Sequence, residues 1–214
     1  LAYADVILVL GAVNVLAGTI GSVACQDLRV FLSFLSIGSF GFLLLGIGSL
    51  DSAGLLGSVY QQLAVGMGLS GFGLFIGVLD RRQLPLEEIH GLAAKTPVLA
   101  LFIGLITASL LGFPGMGGFV GQSLILMGSF SVHSWLIGIS GLAMVLMVYS
   151  LFSVYRKIFL GPPSLQVKEC PDLSFREKSS FLPLVFLLIG SGLYPKPFID
   201  LIRPSVLTLL SLVR

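Results

Sequence analysis

Long apolar segments alternate with short polar interruptions along the whole chain, and this pattern predicts a bundle of membrane-spanning helices. A spanning helix needs about 20 mostly apolar residues. Six segments separated by Asp, Arg, Gly or Pro fit one span each, which predicts an all-α integral membrane protein with six transmembrane helices. The six segments are residues 6–24, 30–50, 55–79, 97–130, 135–159 and 181–194.

The fourth segment differs from the others because it is interrupted in its middle. No Asp, Glu, Lys or Arg occurs from Thr96 to Tyr155, yet glycine and proline cluster near the centre of residues 97–130. A helix broken within the membrane is tolerated only where the freed backbone faces protein or a water-filled cavity. We therefore expect the fourth helix to be discontinuous and the functional site to lie at the break. The residues that predict the break are Gly112, Pro114, Gly115, Gly118 and Gly121.

Composition supports the membrane assignment and excludes several classes of function. The chain is 56% hydrophobic and 10% charged, whereas a soluble domain carries roughly 25% charged residues. A net charge of +2 without a basic, aromatic-rich patch gives no support for nucleic-acid binding. The expected surroundings are lipid and other membrane proteins.

The distribution of Lys and Arg predicts the orientation of the spans. Basic residues in short loops mark the cytoplasmic or matrix side. Nine of the 12 Lys and Arg lie at the ends of spans one, three and five or in the loops that follow them, and none follows spans two and four. The N-terminus is therefore expected outside, with the loops after spans one, three and five inside.

The cysteines and histidines do not form a recognisable site. Cys25 and Cys170 have neither metal-ligand spacing nor a disulfide pattern, so we expect free thiols, no metal and no cofactor. His90 is expected to be a solvated loop residue. His133 lies beside Trp135, a predicted interfacial anchor, and a proton-accepting role for it is the less favoured alternative.

Polar side chains that could act at the break are few and uncharged. Gln122 and Ser123 follow it, and Thr107 and Ser109 precede it as possible cavity-lining residues. A glutamine can join a hydrogen-bonded water chain, but it cannot carry a proton as a carboxylate can. Two interpretations remain open: Gln122 takes part in transport, or it hydrogen-bonds to the opened backbone.

Several motifs, taken in order, resemble the antiporter-like membrane subunits of respiratory complex I, and most closely subunit 4, the M-type subunit. The match covers nearly the whole chain, and the order and spacing of the motifs make it specific. The motifs lie at residues 27–37, 57–64, 91–121, 155–162 and 192–197.

The resemblance implies a division of the chain. The family subunit has fourteen helices with two inverted five-helix repeats, and this chain resembles helices nine to fourteen. Residues 1–160 would form one five-helix repeat with its broken helix at 97–130, residues 161–180 an inside loop, and residues 181–214 the last transmembrane helix and a C-terminal surface segment. A separate chain would supply the N-terminal half. The chain begins at Leu1 rather than Met, and a split, processed or fragmentary origin all stay open.

The departures from the family concern its proton route. That route uses a histidine in the tenth helix, a histidine in the eleventh, and a glutamate or lysine after the broken helix. The corresponding positions here are Ser39, either Val65 or Met67 depending on the alignment, and Gln122. None can titrate, so the scaffold is expected without its proton-carrying groups.

The resemblance implies a membrane-arm subunit of a proton-pumping NADH:ubiquinone oxidoreductase, in the mitochondrial inner membrane or a bacterial plasma membrane. It would carry no catalytic redox residue or cofactor of its own, and its partners would be other membrane subunits. The alternatives are a subunit of a multi-subunit cation/proton antiporter or membrane-bound hydrogenase, and a purely structural membrane anchor.

Overall fold

A computed structural model describes residues 2–84, 89–130, 134–163 and 171–213, and the regular structure within these ranges is entirely helical. A short 3-10 helix, Leu92–Ala94, precedes the fourth α-helix. His133 and Cys170 lie outside the described residues. The eight α-helices are α1 Ala2–Ala24, α2 Leu28–Gly48, α3 Ser52–Arg81, α4 Pro97–Leu110, α5 Gly117–Phe130, α6 Ser134–Phe159, α7 Phe175–Leu193 and α8 Lys196–Val213.

The polar residues between the apolar segments start the helices. Asp27 and Asp51 precede α2 and α3, and each carboxylate accepts a hydrogen bond from the backbone N–H two residues on, at 2.7 and 2.8 Å. Ser174 and Glu177 form a reciprocal capping box at the start of α7. These caps accept hydrogen bonds from N–H groups that have no partner within the helix. This explains why α2, α3 and α7 begin directly after these polar residues.

Length and composition assign several of the helices to the membrane. In the described part of the chain, α1, α2, α3 and α6 are each long and apolar enough to cross a bilayer, which gives four spans. A fifth follows if α7 and α8, which meet at an angle of 79°, count as one bent span. The protein is therefore a multi-pass membrane protein. Helices α4 and α5 have 14 residues each, too few to span alone.

Glycines allow neighbouring helices to pack with their backbones in direct contact. A Cβ atom on Gly18 of α1 would collide with the backbone of Gly38 on α2. On α5, a Cβ atom at Gly121 would collide with Gln61 of α3. Small residues at such crossings are typical of membrane helix pairs. The packing places the two halves of the interrupted segment against α3.

The C-terminal part of the chain is more helical than the sequence suggested. Helix α7 begins at Phe175, ahead of the apolar run at 181, because the capping box starts it there. Residues 206–213 are the second half of the 18-residue helix α8. Val206 and Leu210 of α8 pack on Leu56 of α3, while Leu207, Leu209 and Leu212 of the same segment are exposed.

Candidate functional site

The interruption of the fourth apolar segment lies between α4 and α5, at residues 111–116. Gly112 has φ 71° and Gly115 has φ 92°, values in the left-handed region that favours glycine. The Gly112 N–H donates to the Ser109 carbonyl at 3.1 Å, and the Phe113 N–H donates to the Ala108 carbonyl at 2.9 Å. This pair of bonds is a Schellman motif, which ends a helix and satisfies its last carbonyls.

The first turn of α5 is held directly against α4. Gly118 donates its backbone N–H to the Ser109 hydroxyl at 3.4 Å. Because a Cβ atom on Gly118 would collide with the Ser109 carbonyl oxygen, only glycine fits there. Ser109 is fully buried in α4, and its hydroxyl caps the first turn of α5.

Gln122 occupies the space that the break creates. Its side chain is 8% exposed, and its Nε2 donates to the Leu110 carbonyl oxygen at 3.2 Å. In an unbroken helix the Leu110 carbonyl would accept from residue 114, but Pro114 has no N–H. The amide thus replaces the missing donor. Its Oε1 lies against Gly112, where a side chain would collide with it.

A small internal cavity lies between two of the predicted site residues, Ser39 and Gln122. Its volume is about 10 Å³, and its polar walls are Ser39, Gln61 and Gln122. The remaining lining is apolar and includes Phe42 and Met147. A cavity of this size is at the lower limit for a single water molecule, which requires roughly 10–15 Å³. The structure therefore brings Ser39 and Gln122 together around space for one water at most.

Gln61 belongs to this site, although the sequence analysis did not select it. The side chain is 3% exposed, and its Oε1 has no hydrogen-bond partner among the described residues. An unpaired buried carbonyl is costly, and a water in the adjacent cavity would satisfy it. The sequence signal that could have identified Gln61 was a polar amide side chain inside the apolar segment 55–79.

Val65 and Met67, the two residues that could correspond to the family's histidine in the eleventh helix, lie on different faces of α3. Val65 lies one helical turn beyond Gln61, so the two residues share a face of α3, and Val65 is 1% exposed. Met67 instead lines a separate cavity of about 120 Å³ with Leu187 and Phe198. Only Val65 therefore lies on the side of α3 that carries Gln61.

The other predicted polar residues take no part in the small cavity. Thr107 is 3% exposed, and its hydroxyl has no hydrogen-bond partner in the part of the chain that the structure describes. Ser123 is half-buried and does not line the cavity. Neither residue therefore contributes to the polar lining of the small cavity.

Acidic and basic side chains are absent from this site. None of the described Asp, Glu, His, Lys or Arg residues lines the cavity. Across the described ranges, no group of three or more His, Cys, Asp or Glu could hold a metal ion. The site can hold a water and exchange hydrogen bonds, but it has no group that changes charge near neutral pH.

A bundle of long apolar helices, with a buried amide between the short helices α4 and α5, defines the class: multi-pass membrane proteins with an all-helical fold. Comparison with known families narrows this class. The chain belongs to the family described as "NADH:quinone oxidoreductase/Mrp antiporter, TM", which matches residues 1–153.

Curated relatives agree with the family assignment. The chain is 33% identical to the NAD(P)H-quinone oxidoreductase chain 4 2 of Synechococcus sp. (strain JA-3-3Ab), over 99% of this chain and 42% of the relative. It is 30% identical to the NADH-quinone oxidoreductase subunit M of Rhodobacter capsulatus, over 94% of this chain and 40% of the relative. The chain therefore spans about two fifths of the length of the relatives it matches.

Solved structures share the fold. A chain of respiratory complex I from Thermus thermophilus with bound NADH superposes with a TM-score of 0.90 at 25% identity, over 99% of this chain and 45% of that one. A chain of the Mrp complex from Dietzia sp. DQ12-45-1b gives a TM-score of 0.88 at 19% identity, over 97% and 47%. The second likeness concerns the fold alone.

Proposed function

We propose that this chain forms the second antiporter-like repeat and the last helix of a membrane-arm subunit of a proton-translocating NADH:quinone oxidoreductase. Supporting this proposal are the family match, the relatives named as subunit M or chain 4, and the share of their length that the chain covers. The remaining helices of such a subunit belong to the same polypeptide or to a partner chain.

In this proposal α4 and α5 act together as one broken span, so that the chain crosses the membrane six times. Each helix rises about 21 Å over its 14 residues. That length is short of the roughly 30 Å hydrocarbon core, but the two in succession exceed it. The Schellman motif and the Gln122 hydrogen bond satisfy the backbone at the break, as a lipid environment requires.

We further propose that this half of the subunit carries no proton-titrating step of its own. The supporting observation is the Gln122 amide, which donates to the Leu110 carbonyl. That bond gives Gln122 a structural role at the position where the family resemblance implies an ionisable residue. The residues at the other two positions, Ser39 and either Val65 or Met67, are equally unable to titrate. Proton transfer would then depend on other helices of the assembled complex.

Purification of the parent complex tests the assignment. The chain should be tagged, extracted from its own membrane in mild detergent, and its partners identified by mass spectrometry. We expect NADH dehydrogenase and quinone-binding subunits in the same particle, together with the remaining helices of an M-type subunit. Recovery with a set of antiporter or hydrogenase subunits, and none from NADH dehydrogenase, would show the assignment to be wrong.

A further inference from the structure

A lateral groove between α3 and α7 has no role in the function proposed above. Its volume is about 740 Å³. The two helices are joined above and below it: the Tyr60 hydroxyl donates to the Ser191 carbonyl at 2.6 Å, and Arg82 pairs with Glu177 at 3.3 Å. The groove is therefore an opening between two fixed points rather than a gap between loosely packed helices.

Glycines keep the groove open. Gly73 and Gly77 form one wall, and a Cβ atom built on either would meet nothing within 4 Å. Buried Val78 and Phe181 line the groove as well, with 5% and 1% exposure. The middle of the groove is therefore apolar, with open space beside both glycines.

The length of the groove matches one leaflet of a bilayer. It runs along α3 from Ser70 to Arg81 and along α7 from Ser174 to Leu184. Ten to eleven residues of helix rise about 15–17 Å, which is half of the roughly 30 Å hydrocarbon core. A phospholipid acyl chain therefore fits along it from the membrane surface to the midplane.

Positive charge is concentrated at the surface end of the groove. Arg81 and Arg176 line it there, on the side that the distribution of basic residues assigns to the inside. Both are exposed, and neither side chain has an ion pair within the described ranges. The carboxylate of Glu177 also lines the groove, but it is already bound by Arg82 and by the Ser174 backbone N–H. The free charge at this end is positive.

From this geometry we propose that the α3–α7 groove binds one anionic phospholipid of the inner leaflet. The phosphate and headgroup lie between Arg81 and Arg176, and an acyl chain lies along Gly73 and Gly77. Basic pockets between helices on this side of a membrane suit acidic headgroups, and arginine forms strong paired hydrogen bonds with phosphate oxygens. The bound lipid completes the packing of α7 on α3.

Photo-crosslinking tests the proposal directly. The full chain is reconstituted in phosphatidylcholine vesicles that contain a small, equal amount of either of two probes. One probe is phosphatidylglycerol with an acyl-chain diazirine, and the other is phosphatidylcholine with the same acyl chain. Labelled peptides are quantified by mass spectrometry. Peptides from the exposed face of α6, around Leu142 and Val145, serve as the reference for lipid contact in each sample.

We expect groove peptides to show about a tenfold preference for the phosphatidylglycerol probe over the phosphatidylcholine probe, from the attraction of two arginines. The double substitution Arg81→Gln and Arg176→Gln should reduce that preference to about twofold or less. Lys178→Gln, which removes a neighbouring charge that does not line the groove, should leave it unchanged.

A second pair of variants tests the apolar part of the groove. Gly73→Leu should fill it and reduce labelling by both probes, whereas Gly138→Leu, at another open glycine on α6, should not. The arginine substitutions alone decide the question if Gly73→Leu does not fold. Equal labelling of native groove peptides by both probes overturns the proposal. Absence of groove label while α6 is labelled also overturns it, because the groove then holds no lipid.

Discussion

The side-chain amide of Gln122 lies 3.2 Å from the carbonyl oxygen of Leu110 and donates to it across the helix break. That oxygen would be unpaired in α4, because the residue four positions on is Pro114. Gln122 occupies a position where the family resemblance implies proton transfer. Here its side chain instead forms a hydrogen bond to a backbone carbonyl. The interpretation that Gln122 bonds to the opened backbone is the one that the geometry supports.

Removal of the amide should destabilise the fold. Gln122→Ala leaves the Leu110 carbonyl without its donor in a buried site, so we expect a loss of about 1–3 kcal/mol in the free energy of unfolding. The measurement is reversible unfolding of the chain in mixed micelles by titration with dodecyl sulfate. Gln62→Ala is the matched control, since Gln62 is exposed on α3 and should change stability by less than about 0.5 kcal/mol. Equal stability of the two variants would contradict the structural role.

The Tyr60–Ser191 hydrogen bond should contribute measurably to the attachment of α7. Tyr60→Phe removes the hydroxyl that donates to the Ser191 carbonyl at 2.6 Å. We expect a loss of about 1–2 kcal/mol in the free energy of unfolding, measured by the same titration. Tyr149→Phe alters a tyrosine that is 64% exposed and should have no effect. A neutral Tyr60→Phe would mean that the bond is absent or replaced by another.

Glycine at the α1–α2 crossing should be irreplaceable, whereas glycine at an open position should not. Gly18→Ala places a methyl group against the backbone of Gly38, and we expect a loss of about 1–3 kcal/mol from overpacking. Gly138→Ala places the same group where nothing lies within 4 Å. It should be neutral, or stabilising by up to about 1 kcal/mol through helix propensity. The reverse order of stabilities would show that the crossing is not as close as described.

Cys25, between α1 and α2, should react slowly with alkylating reagents. Burial raises the pKa of its thiol, and the negative charge of Asp27 adds to the effect. Since the thiolate is the reactive form, a raised pKa means less thiolate at neutral pH than in an unfolded cysteine. Iodoacetamide labelling of the Cys25 peptide, followed from neutral to alkaline pH, should reach half of its maximal rate at a higher pH in the folded chain than after unfolding. Coincident pH profiles would contradict this environment.

Local sequence signals account for where α2 and α3 begin and for the interruption between α4 and α5. Asp27 and Asp51 act as caps, and glycine with proline interrupts the fourth apolar segment, because these effects depend on neighbouring residues only. The start of α7 was placed too late, since the Ser174–Glu177 capping box extends the helix beyond its apolar run.

The tertiary relationships could not be read from the sequence. The pairing of Gln122 with Leu110 depends on how α5 folds back on α4, and Gln61 joins the site only because α3 packs on α5 at Gly121. Similarly, spacing alone could not choose between Val65 and Met67. The structure places the two residues on different faces of α3, with Met67 in the cavity beside Leu187 and Phe198.

The proton-to-electron ratio of the assembled complex tests the central claim most directly. Ser39→Ala removes one of the three polar walls of the cavity with little change in volume, and should slow any water-mediated proton transfer there. Because this half is proposed to carry no titrating step, the account predicts the same number of protons translocated per electron pair in the native and Ser39→Ala complexes. A lower ratio in Ser39→Ala, at unchanged NADH oxidation and complex assembly, would show that protons do pass through this chain and would contradict the account.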